Sequence, residues 1–256
     1  MKRSINAWSN DLCVSRLSLF VIAGLIGGLT SAAADAGPHW GYRVENGPAT
    51  WQSLDKKFET CGKGQAQSPI DLPIKSAPGA SDIVFDYRGG PANVVNNGHT
   101  IQVNVAKGNV LKIGARTYRL IQFHFHTPSE NTVDGLHYPM ETHLVHADDQ
   151  GRLAVVALLV KSGATGVIDS VPRPAKKGET GTIDQINPSD LLPKEASHFA
   201  FAGSLTTPPC SEGVSWIVMR QPVEAASSTI AQFYSILGAN NRPTNPLNGR
   251  TIVSSR

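Results

Sequence analysis

Residues 118–126 read Tyr-Arg-Leu-Ile-Gln-Phe-His-Phe-His, and residues 140–147 read Met-Glu-Thr-His-Leu-Val-His-Ala. In residues 121–126 apolar and polar side chains alternate, which is the pattern of a β-strand with two different faces, and the same period of two is applied to the second stretch. Much of the remaining chain repeats this pattern in shorter runs, separated by Gly, Pro and Asn. With 40% hydrophobic and 17% charged residues among 256, the sequence predicts one mainly β domain of ordinary globular composition.

The predicted elements are mostly strands. One helix is predicted at Ala225–Leu237, because its apolar residues recur at helical spacing. Residues 51–58 predict a shorter helix, and residues 162–188, rich in Gly and Pro, predict a long loop with one helical turn near 167–171. The predicted strands are Ile83–Tyr87, Asn93–Val95, Ile101–Val105, Val110–Ile113, Tyr118–His126, Met140–Ala147, Leu153–Val160 and Gly213–Met219.

Three histidines are expected to converge. Alternation puts His124 and His126 on one face of the first stretch, together with Gln122. In the second stretch it puts His143 on the same face as Glu141. Antiparallel pairing of the two strands then brings His143 beside the other two imidazoles, and three neutral imidazoles with a fourth position open to water form a catalytic zinc site.

Gln122 and Glu141 have a predicted role in the same cluster. A metal-bound imidazole needs a hydrogen-bond acceptor for its second ring nitrogen. Each of these two residues stands two positions before a histidine and on the same face, where it can provide that acceptor. The alternative for an isolated His-x-His pair is a surface or interface feature without a metal, but a third histidine flanked by a same-face Glu favours the metal site.

The first 36 residues are predicted to be an export signal. Basic residues precede an uncharged stretch at residues 17–30, and Ala34 and Ala36 then form the small-x-small pattern of a cleavage site. The alternative is an uncleaved membrane anchor. The catalytic domain is predicted to span residues 37–256, and no other segment approaches membrane-spanning length, so no stable membrane insertion is expected after cleavage.

The number of cysteines in the mature chain is typical of an exported protein with one disulfide. Cys13 lies in the predicted signal, and its removal leaves Cys61 and Cys210. Two cysteines in an oxidising compartment favour one disulfide, which would close a loop of about 150 residues. The alternative is two free buried thiols.

Several motifs together resemble the α-class carbonic anhydrases, in that family's order and over essentially the whole mature chain. They are His-Trp-Gly-Tyr (39–42), Gln-Ser-Pro-Ile-Asp (67–71), Asn-Asn-Gly-His (96–99), Gln-Phe-His-Phe-His-Thr-Pro-Ser-Glu-Asn (122–131), Met-Glu-Thr-His-Leu-Val-His (140–146), Gly-Ser-Leu-Thr-Thr-Pro-Pro-Cys (203–210), Trp216 and Asn-Arg-Pro (241–243). The cysteine pair resembles that of the exported bacterial branch. The resemblance implies a single domain on a large, mostly antiparallel twisted sheet with few short helices.

The resemblance also implies a reaction and its central residues. The reaction is reversible hydration of carbon dioxide to bicarbonate and a proton, by attack of hydroxide bound to one Zn²⁺ per chain. The matching zinc ligands are His124, His126 and His143, with Gln122 and Glu141 as their hydrogen-bond partners. Thr206 matches the hydroxyl that orients the nucleophile and donates to Glu130. On local sequence alone, Thr206 is a turn residue before two prolines and Glu130 is a solvated loop carboxylate.

Further matches concern the substrate pocket and the proton path. The residues that match the apolar carbon dioxide pocket are Val145, Val155, Leu205, Val214 and Trp216, with Thr207 beside the bicarbonate position. Ordinary β-core packing would explain the same apolar residues. His99 matches the proton shuttle, because a group with a pKa near 7 carries protons in both directions; the alternative is an exposed turn histidine. Tyr42, Asn97 and Gln102 match residues that order the connecting waters.

Partners and location follow from the same resemblance. Carbon dioxide and bicarbonate are the expected substrates, anions and sulfonamides the expected inhibitors, and ester hydrolysis a side activity. The protein is expected to be periplasmic or secreted, as a monomer or homodimer. No nucleic-acid partner is expected, because the formal net charge is only +3 and the basic residues are not clustered. Two other functions stay open: a non-catalytic binding protein on this fold, which would lack a ligand, and a zinc hydrolase acting mainly on esters.

Overall fold

The computed structural model describes residues 39–75, 77–79 and 82–255, so the predicted signal at residues 1–36 lies outside the described residues. The strands of the described chain are β1 (Asp71–Leu72), β2 (Ala77–Pro78), β3 (Ile83–Asp86), β4 (Gly90–Asn96), β5 (Ile101–Val105), β6 (Val110–Ile113), β7 (Arg116–His126), β8 (Thr132–Val133), β9 (Leu136–His137), β10 (Met140–Ala147), β11 (Leu153–Ser162), β12 (Thr180–Ile186), β13 (His198–Ser204), β14 (Glu212–Ala225) and β15 (Val253–Ser254). The α-helices are α1 (Trp51–Leu54), α2 (Thr60–Lys63) and α3 (Ser227–Leu237), and 3₁₀ turns lie at Lys56–Phe58, Val167–Ser170 and Pro188–Leu191. Among the described residues no helix combines the length and the apolar character needed to cross a bilayer.

Most strands belong to one twelve-stranded sheet. Ten of them follow the order β12-β4-β5-β7-β10-β11-β14-β13-β15-β2, while β6 pairs with β7 and β3 pairs with β6. Its neighbouring strands are antiparallel except for β11 with β14 and β15 with β2. A small second sheet joins β1, β8 and β9. The predicted fold class, mainly β on a large and mostly antiparallel sheet with few short helices, is confirmed.

The central strands are buried on both faces. In β11, Val156 and Leu158 pack into one apolar cluster, whereas Val155 and Ala157 pack into another on the opposite face. A slip of one residue would exchange these faces, so burial on both sides fixes the strand register strongly. The positions of the side chains on β7, β10 and β11 are therefore set by the core.

Two of the longer strands, β12 and β13, are absent from the sequence prediction, as are the five two-residue strands β1, β2, β8, β9 and β15. Residues 162–188 are not a continuous loop, because they contain β12, which pairs with β4 at the edge of the large sheet. An edge strand leaves one backbone edge unpaired and often carries polar residues. β12 accordingly lacks the apolar alternation that identifies a strand. β13 is also missing from the prediction, although Phe199 and Phe201 alternate within it and both are buried.

Several predicted strands and helices begin or end at other residues in the structure. The strand predicted at 213–219 extends over all of β14, and the predicted helix at 225–237 begins at Ser227. The helix predicted at 51–58 is interrupted at Asp55, which has extended backbone angles and accepts a hydrogen bond from the Lys57 amide. An Asp in this position caps a new helical turn instead of continuing the preceding one.

The disulfide predicted between Cys61 and Cys210 is present and connects α2 to the segment before β14. Both cysteines are buried, and they pack with Trp51 and the partly buried Trp40 and Tyr42. The Cys210 amide donates to the carbonyl of Thr207, which links the bridge to the turn at residues 207–210. The bridge therefore fixes the segment that carries Thr206 and Thr207.

Reduction of this bridge is expected to destabilise the protein. Its cysteines are separated by 149 residues, and releasing a loop of that size costs up to about 5 kcal/mol of unfolding free energy in the chain-entropy description. Urea unfolding with and without reductant measures the difference, with the double variant Cys61→Ser and Cys210→Ser as the control for side effects of the reductant. Superimposable unfolding curves would refute the expectation.

His146 lies on the face of β10 opposite His143 and is fully buried. Its Nε2 accepts a hydrogen bond from the Tyr87 hydroxyl at 2.6 Å, and its Nδ1 faces the carbonyl of Ala154 at 3.3 Å. Burial lowers the pKa of His146 from 6.5 to about 4, which the backbone hydrogen bonds only partly oppose. The folded protein therefore keeps this ring neutral where an unfolded chain would protonate it.

Acid is accordingly expected to weaken the fold through His146. As pH falls below 6.5 the unfolded state binds the proton first, so stability declines between about pH 6.5 and about pH 4, by roughly 3 kcal/mol in total for this group. Urea unfolding of the wild type and His146→Gln at pH 7 and pH 4.5 isolates the contribution, since other buried histidines affect both proteins. Equal pH dependence in the two proteins would exclude this role of His146.

Candidate metal centre

The strands β7 and β10 bring three imidazoles together. Antiparallel pairing sets His143 opposite His124 and sets Glu141 opposite His126. One ring nitrogen from each histidine lies within 4.8 Å of the others, and the three ring centroids are 4.6 to 5.3 Å apart. A single metal ion could contact one nitrogen of every ring at this spacing.

An oxygen lies behind the second nitrogen of each ring, and it forms a hydrogen bond at His124 and His126. The three contacts are His124 Nδ1 with Gln122 Oε1 at 2.9 Å, His126 Nδ1 with the carbonyl oxygen of Asn240 at 2.8 Å, and His143 Nε2 with Glu141 Oε1 at 3.1 Å in a poorly aligned geometry. Because these oxygens are acceptors, the ring nitrogens facing them carry the proton. The nitrogens left without a proton are Nε2 of His124, Nε2 of His126 and Nδ1 of His143.

The donor set fits a metal ion such as zinc. His126 Nε2 is buried and has no hydrogen-bond partner among the described residues, a state that costs free energy unless a ligand satisfies the atom. Burial lowers the pKa of His124 and His143 well below the usual histidine value, and lowers that of His126 as well. The rings are therefore neutral near pH 7, which is the form that binds metals.

Glu141 is itself firmly anchored. Its Oε2 accepts hydrogen bonds from the amides of Glu130 and Asn131 at 2.7 and 2.8 Å, and its Oε1 accepts one from Asn131 Nδ2 at 2.7 Å. Burial raises the pKa of Glu141, and these hydrogen bonds oppose the rise. The carboxylate facing His143 thus has a fixed orientation.

Glu130 is fully buried beside the histidine cluster, unlike a solvated loop carboxylate. Its Oε1 accepts a hydrogen bond from the Arg242 amide at 2.8 Å, and its Oε2 lies 3.6 Å from His126 Nε2. Burial raises the pKa of Glu130 to about 8, opposed by the nearby Thr206 hydroxyl and the Arg242 amide. No well-aligned hydrogen bond reaches Oε2 within the described chain, so this oxygen faces the cluster unpaired.

Apolar side chains line the other side of the cluster. Val145 pairs with Val155 across β10 and β11, and Val155 pairs with Trp216 across β11 and β14. Val214 and the partly buried Leu205 belong to the same apolar cluster, and the Trp216 ring lies 5.0 Å from that of His143. The five predicted pocket residues therefore share one apolar cluster, and Trp216 brings this cluster against the His143 ring.

A cavity of about 150 Å³ leads from the cluster to His99. Its lining includes the predicted residues Tyr42, Asn97, His99, Gln102, Gln122, His124, His126 and Thr207. The His99 ring is stacked on Trp40, with ring centroids 3.7 Å apart. Burial, and then the charges of Lys177 and His39, lower the pKa of His99.

Two contributors to this site are missing from the sequence analysis. Asn240 accepts from His126 through its backbone carbonyl, and its side chain also bonds the backbone of Thr127 and His99. A backbone acceptor more than 100 residues away leaves no local signal in the sequence. Trp40 stands in the quoted motif at 39–42, but only the fold reveals that its ring supports His99.

A model of the eukaryotic-type carbonic anhydrases matches residues 46–256, which is most of the chain. The chain belongs to this carbonic anhydrase family. Among its relatives, the carbonic anhydrase of Pectobacterium atrosepticum is 40% identical over 240 residues, covering 91% of this chain and 98% of the relative. The carbonic anhydrase of Neisseria gonorrhoeae is 41% identical over 229 residues, covering 87% and 91%.

Solved structures of the family agree. The α-carbonic anhydrase of Thermovibrio ammonificans, in complex with the inhibitor sulfanilamide, superposes with a TM-score of 0.82 at 38% identity. The match covers 85% of this chain and 99% of that carbonic anhydrase. The family expected from the sequence motifs is thereby confirmed, together with the enzyme class that its members share.

Proposed function

We propose that this chain catalyses the reversible hydration of carbon dioxide to bicarbonate and a proton, with one zinc ion held by His124, His126 and His143. The observation that carries the proposal is the cluster of three neutral imidazoles, two buried and one half-buried, whose unprotonated nitrogens converge beside an apolar wall. Membership of the carbonic anhydrase family supports it. Gln122, Glu141 and the Asn240 carbonyl orient the three rings.

Zinc, when bound here, supplies a nucleophile from water near neutral pH, an effect for which carbonic anhydrase is the standard example. In the working site the Thr206 hydroxyl donates a hydrogen bond to Glu130, and so presents a lone pair to the reacting water and fixes the direction of attack. A divalent cation held by the three histidines would favour the ionised form of Glu130, which can accept that hydrogen bond. Ligands without a proton to donate to Thr206 are disfavoured.

The apolar wall receives carbon dioxide. The substrate is small and has no net dipole, so an apolar surface next to the nucleophile holds it without competing for hydrogen bonds. Val145, Val155, Leu205, Val214 and Trp216 provide this surface. Thr207 lies on the polar side, where charged bicarbonate leaves.

His99 carries the released proton away from the centre. Tyr42, Asn97 and Gln102 line the cavity between it and the metal ligands, and order the water molecules that connect them. The amide nitrogens of His99 and Thr100 both donate to Asn97 Oδ1 at 2.9 Å, which fixes the backbone at His99. A histidine here can exchange protons with buffer in both directions.

The variant His99→Ala is expected to lower kcat for hydration roughly 10-fold in dilute buffer, while kcat/KM changes little. Proton removal limits kcat, whereas kcat/KM depends on capture and conversion of carbon dioxide. Stopped-flow measurements in dilute buffer, repeated with added imidazole, provide the check. A kcat that imidazole does not restore would argue against proton transfer through His99.

Location and inhibition complete the proposal. Residues 1–36 act as a cleaved export signal that delivers the domain 37–256 to the periplasm or the medium, where the Cys61–Cys210 bridge is stable. Sulfonamides and small anions bind at the metal and inhibit, as the sulfanilamide complex of the Thermovibrio ammonificans enzyme supports.

The decisive experiment compares two reactions on one preparation. Carbon dioxide hydration and ester hydrolysis are assayed before chelation, after chelation, and after restoration with one equivalent of zinc. We expect hydration to disappear and return with zinc and to exceed ester hydrolysis by orders of magnitude. Dominant ester hydrolysis would indicate a zinc hydrolase instead, and bound zinc without either activity would indicate a binding protein.

A further inference from the structure

The side chain of Arg242 is an unusual component of the interior. Only 3% of the residue is exposed, and its guanidinium forms no ion pair with a carboxylate among the described residues. It donates instead to neutral oxygens: Nη1 to Gln67 Oε1 at 2.9 Å and to the Ser68 carbonyl at 2.7 Å, and Nη2 to the Cys61 carbonyl at 2.7 Å. Burying this charge without a direct ion pair is costly, so a function is expected for it.

These hydrogen bonds attach Arg242 to both ends of the disulfide. One end is reached directly through the Cys61 carbonyl. The other end is reached through Gln67, whose Nε2 donates to the Cys210 carbonyl at 3.1 Å while its Oε1 accepts from Arg242. A guanidinium can hold several acceptors in one rigid plane, which the ammonium of lysine cannot do.

The backbone of Arg242 meanwhile contacts the metal centre. Its amide donates to Glu130 Oε1 at 2.8 Å. Arg242 therefore links two parts of the molecule. Its side chain binds the Cys61–Cys210 bridge, and its amide binds the Glu130 carboxylate that faces the three histidines. These hydrogen bonds leave the Glu130 carboxylate little freedom to move relative to the bridge.

We propose that Arg242 is a positioning residue that fixes the Glu130 carboxylate against the Cys61–Cys210 bridge, so that the bridge and the guanidinium act on Glu130 as one unit. The inference rests on the proposed role of Glu130 in hydration. It differs from a purely structural role, because loss of the bridge and loss of the guanidinium then have the same consequence at Glu130.

The test is a double-mutant cycle on the full domain. Arg242→Lys keeps a cation but removes the planar donor group, and the pair Cys61→Ser and Cys210→Ser removes the bridge. Arg173→Lys is the matched control, because the Arg173 guanidinium also donates to a glutamine side chain, that of Gln232, and to the backbone carbonyls of Asp169 and Val171, but has no hydrogen bond to the bridge, to Gln67 or to Glu130 among the described residues. All proteins are compared alone and in combination.

Two readouts are taken. Hydrogen exchange of the amide at position 242 reports the bond to Glu130 without any activity, and kcat/KM of the zinc-loaded protein reports its consequence. We expect Arg242→Lys and bridge removal each to accelerate that exchange and to lower kcat/KM about 10-fold, with the combination no worse than either alone. Arg173→Lys should behave as wild type in both readouts.

If the effects of Arg242→Lys and bridge removal multiply in the combined variant, the proposal is overturned. Unchanged exchange at position 242, or an equal loss in Arg173→Lys, would overturn it as well. If Arg242→Lys does not fold, Gln67→Met removes the link to Cys210 and should accelerate the same exchange; no acceleration would equally refute the proposal. A wild type that does not hydrate carbon dioxide would refute the proposed function, whereas the exchange cycle would still decide the role of Arg242.

Discussion

Replacing His143 with alanine is expected to abolish high-affinity zinc binding and to reduce carbon dioxide hydration by at least about 1,000-fold. Loss of a residue that hydrogen-bonds a metal ligand typically costs about 10- to 100-fold in affinity or activity, and removal of a ligand costs more. The remaining nitrogens of His124 and His126 cannot enclose the ion. The change also leaves Glu141 without its imidazole partner, although three hydrogen bonds still hold that carboxylate.

The measurement combines zinc content by elemental analysis with stopped-flow hydration. His137→Ala is the matched control, since His137 is an exposed histidine in β9, outside the cluster. It should retain stoichiometric zinc and full activity. If His143→Ala kept both zinc and activity, the three-imidazole centre would be refuted.

Replacing Thr206 with alanine is expected to lower kcat/KM for hydration about 100-fold with zinc content unchanged. Glu130 orients the Thr206 hydroxyl so that a lone pair of its oxygen faces the reacting water. Without that hydroxyl the water is not oriented, and attack on carbon dioxide loses its direction. Thr206 is 5% exposed, and its hydroxyl is close enough to influence the pKa of Glu130. The effect is therefore expected in catalysis rather than in metal binding.

Thr206→Ser separates the hydroxyl from the methyl group. Serine preserves the donor and acceptor, so this variant should keep most of the activity, while both variants should bind zinc equally. The affinity for anions that carry no proton should rise in Thr206→Ala, because the selection against such ligands is lost. An active Thr206→Ala would assign orientation of the nucleophile to another group.

The elements that the sequence predicts well are those whose periodicity the core enforces. β7 and β10 are central strands with two distinct faces, so alternation alone identifies Gln122, His124 and His126 as one face. The pairing of His143 with His124 follows from the antiparallel arrangement of the same two strands. Here local pattern and global fold agree, as is typical of well-specified sequences.

The elements that escape prediction depend on partners distant in sequence. β12 is recognisable only because β4 lies beside it, since Ile183 and Ile186 are its only large apolar residues and they do not alternate. The acceptor for His126 is a backbone carbonyl at Asn240, which any residue type would provide. The stacking of His99 on Trp40 likewise depends on how two distant segments meet.

The motif resemblance contributes what local pattern cannot. By local pattern, Thr206 is a turn residue and Glu130 a surface carboxylate. The fold buries both beside the histidines, because the bridge at Cys210 and the amide of Arg242 fix their segments. Long-range constraints of this kind are invisible to a window of neighbouring residues.

The central claim is that three imidazoles hold a catalytic zinc ion through the nitrogens that their outer partners leave free. Crystals of the zinc-loaded protein, measured above and below the zinc absorption edge, test it most directly. We predict a single anomalous peak about 2.0–2.1 Å from Nε2 of His124, Nε2 of His126 and Nδ1 of His143, with no fourth protein ligand. The absence of a peak, bonding through the opposite nitrogens, or Glu130 as a fourth ligand would contradict the account.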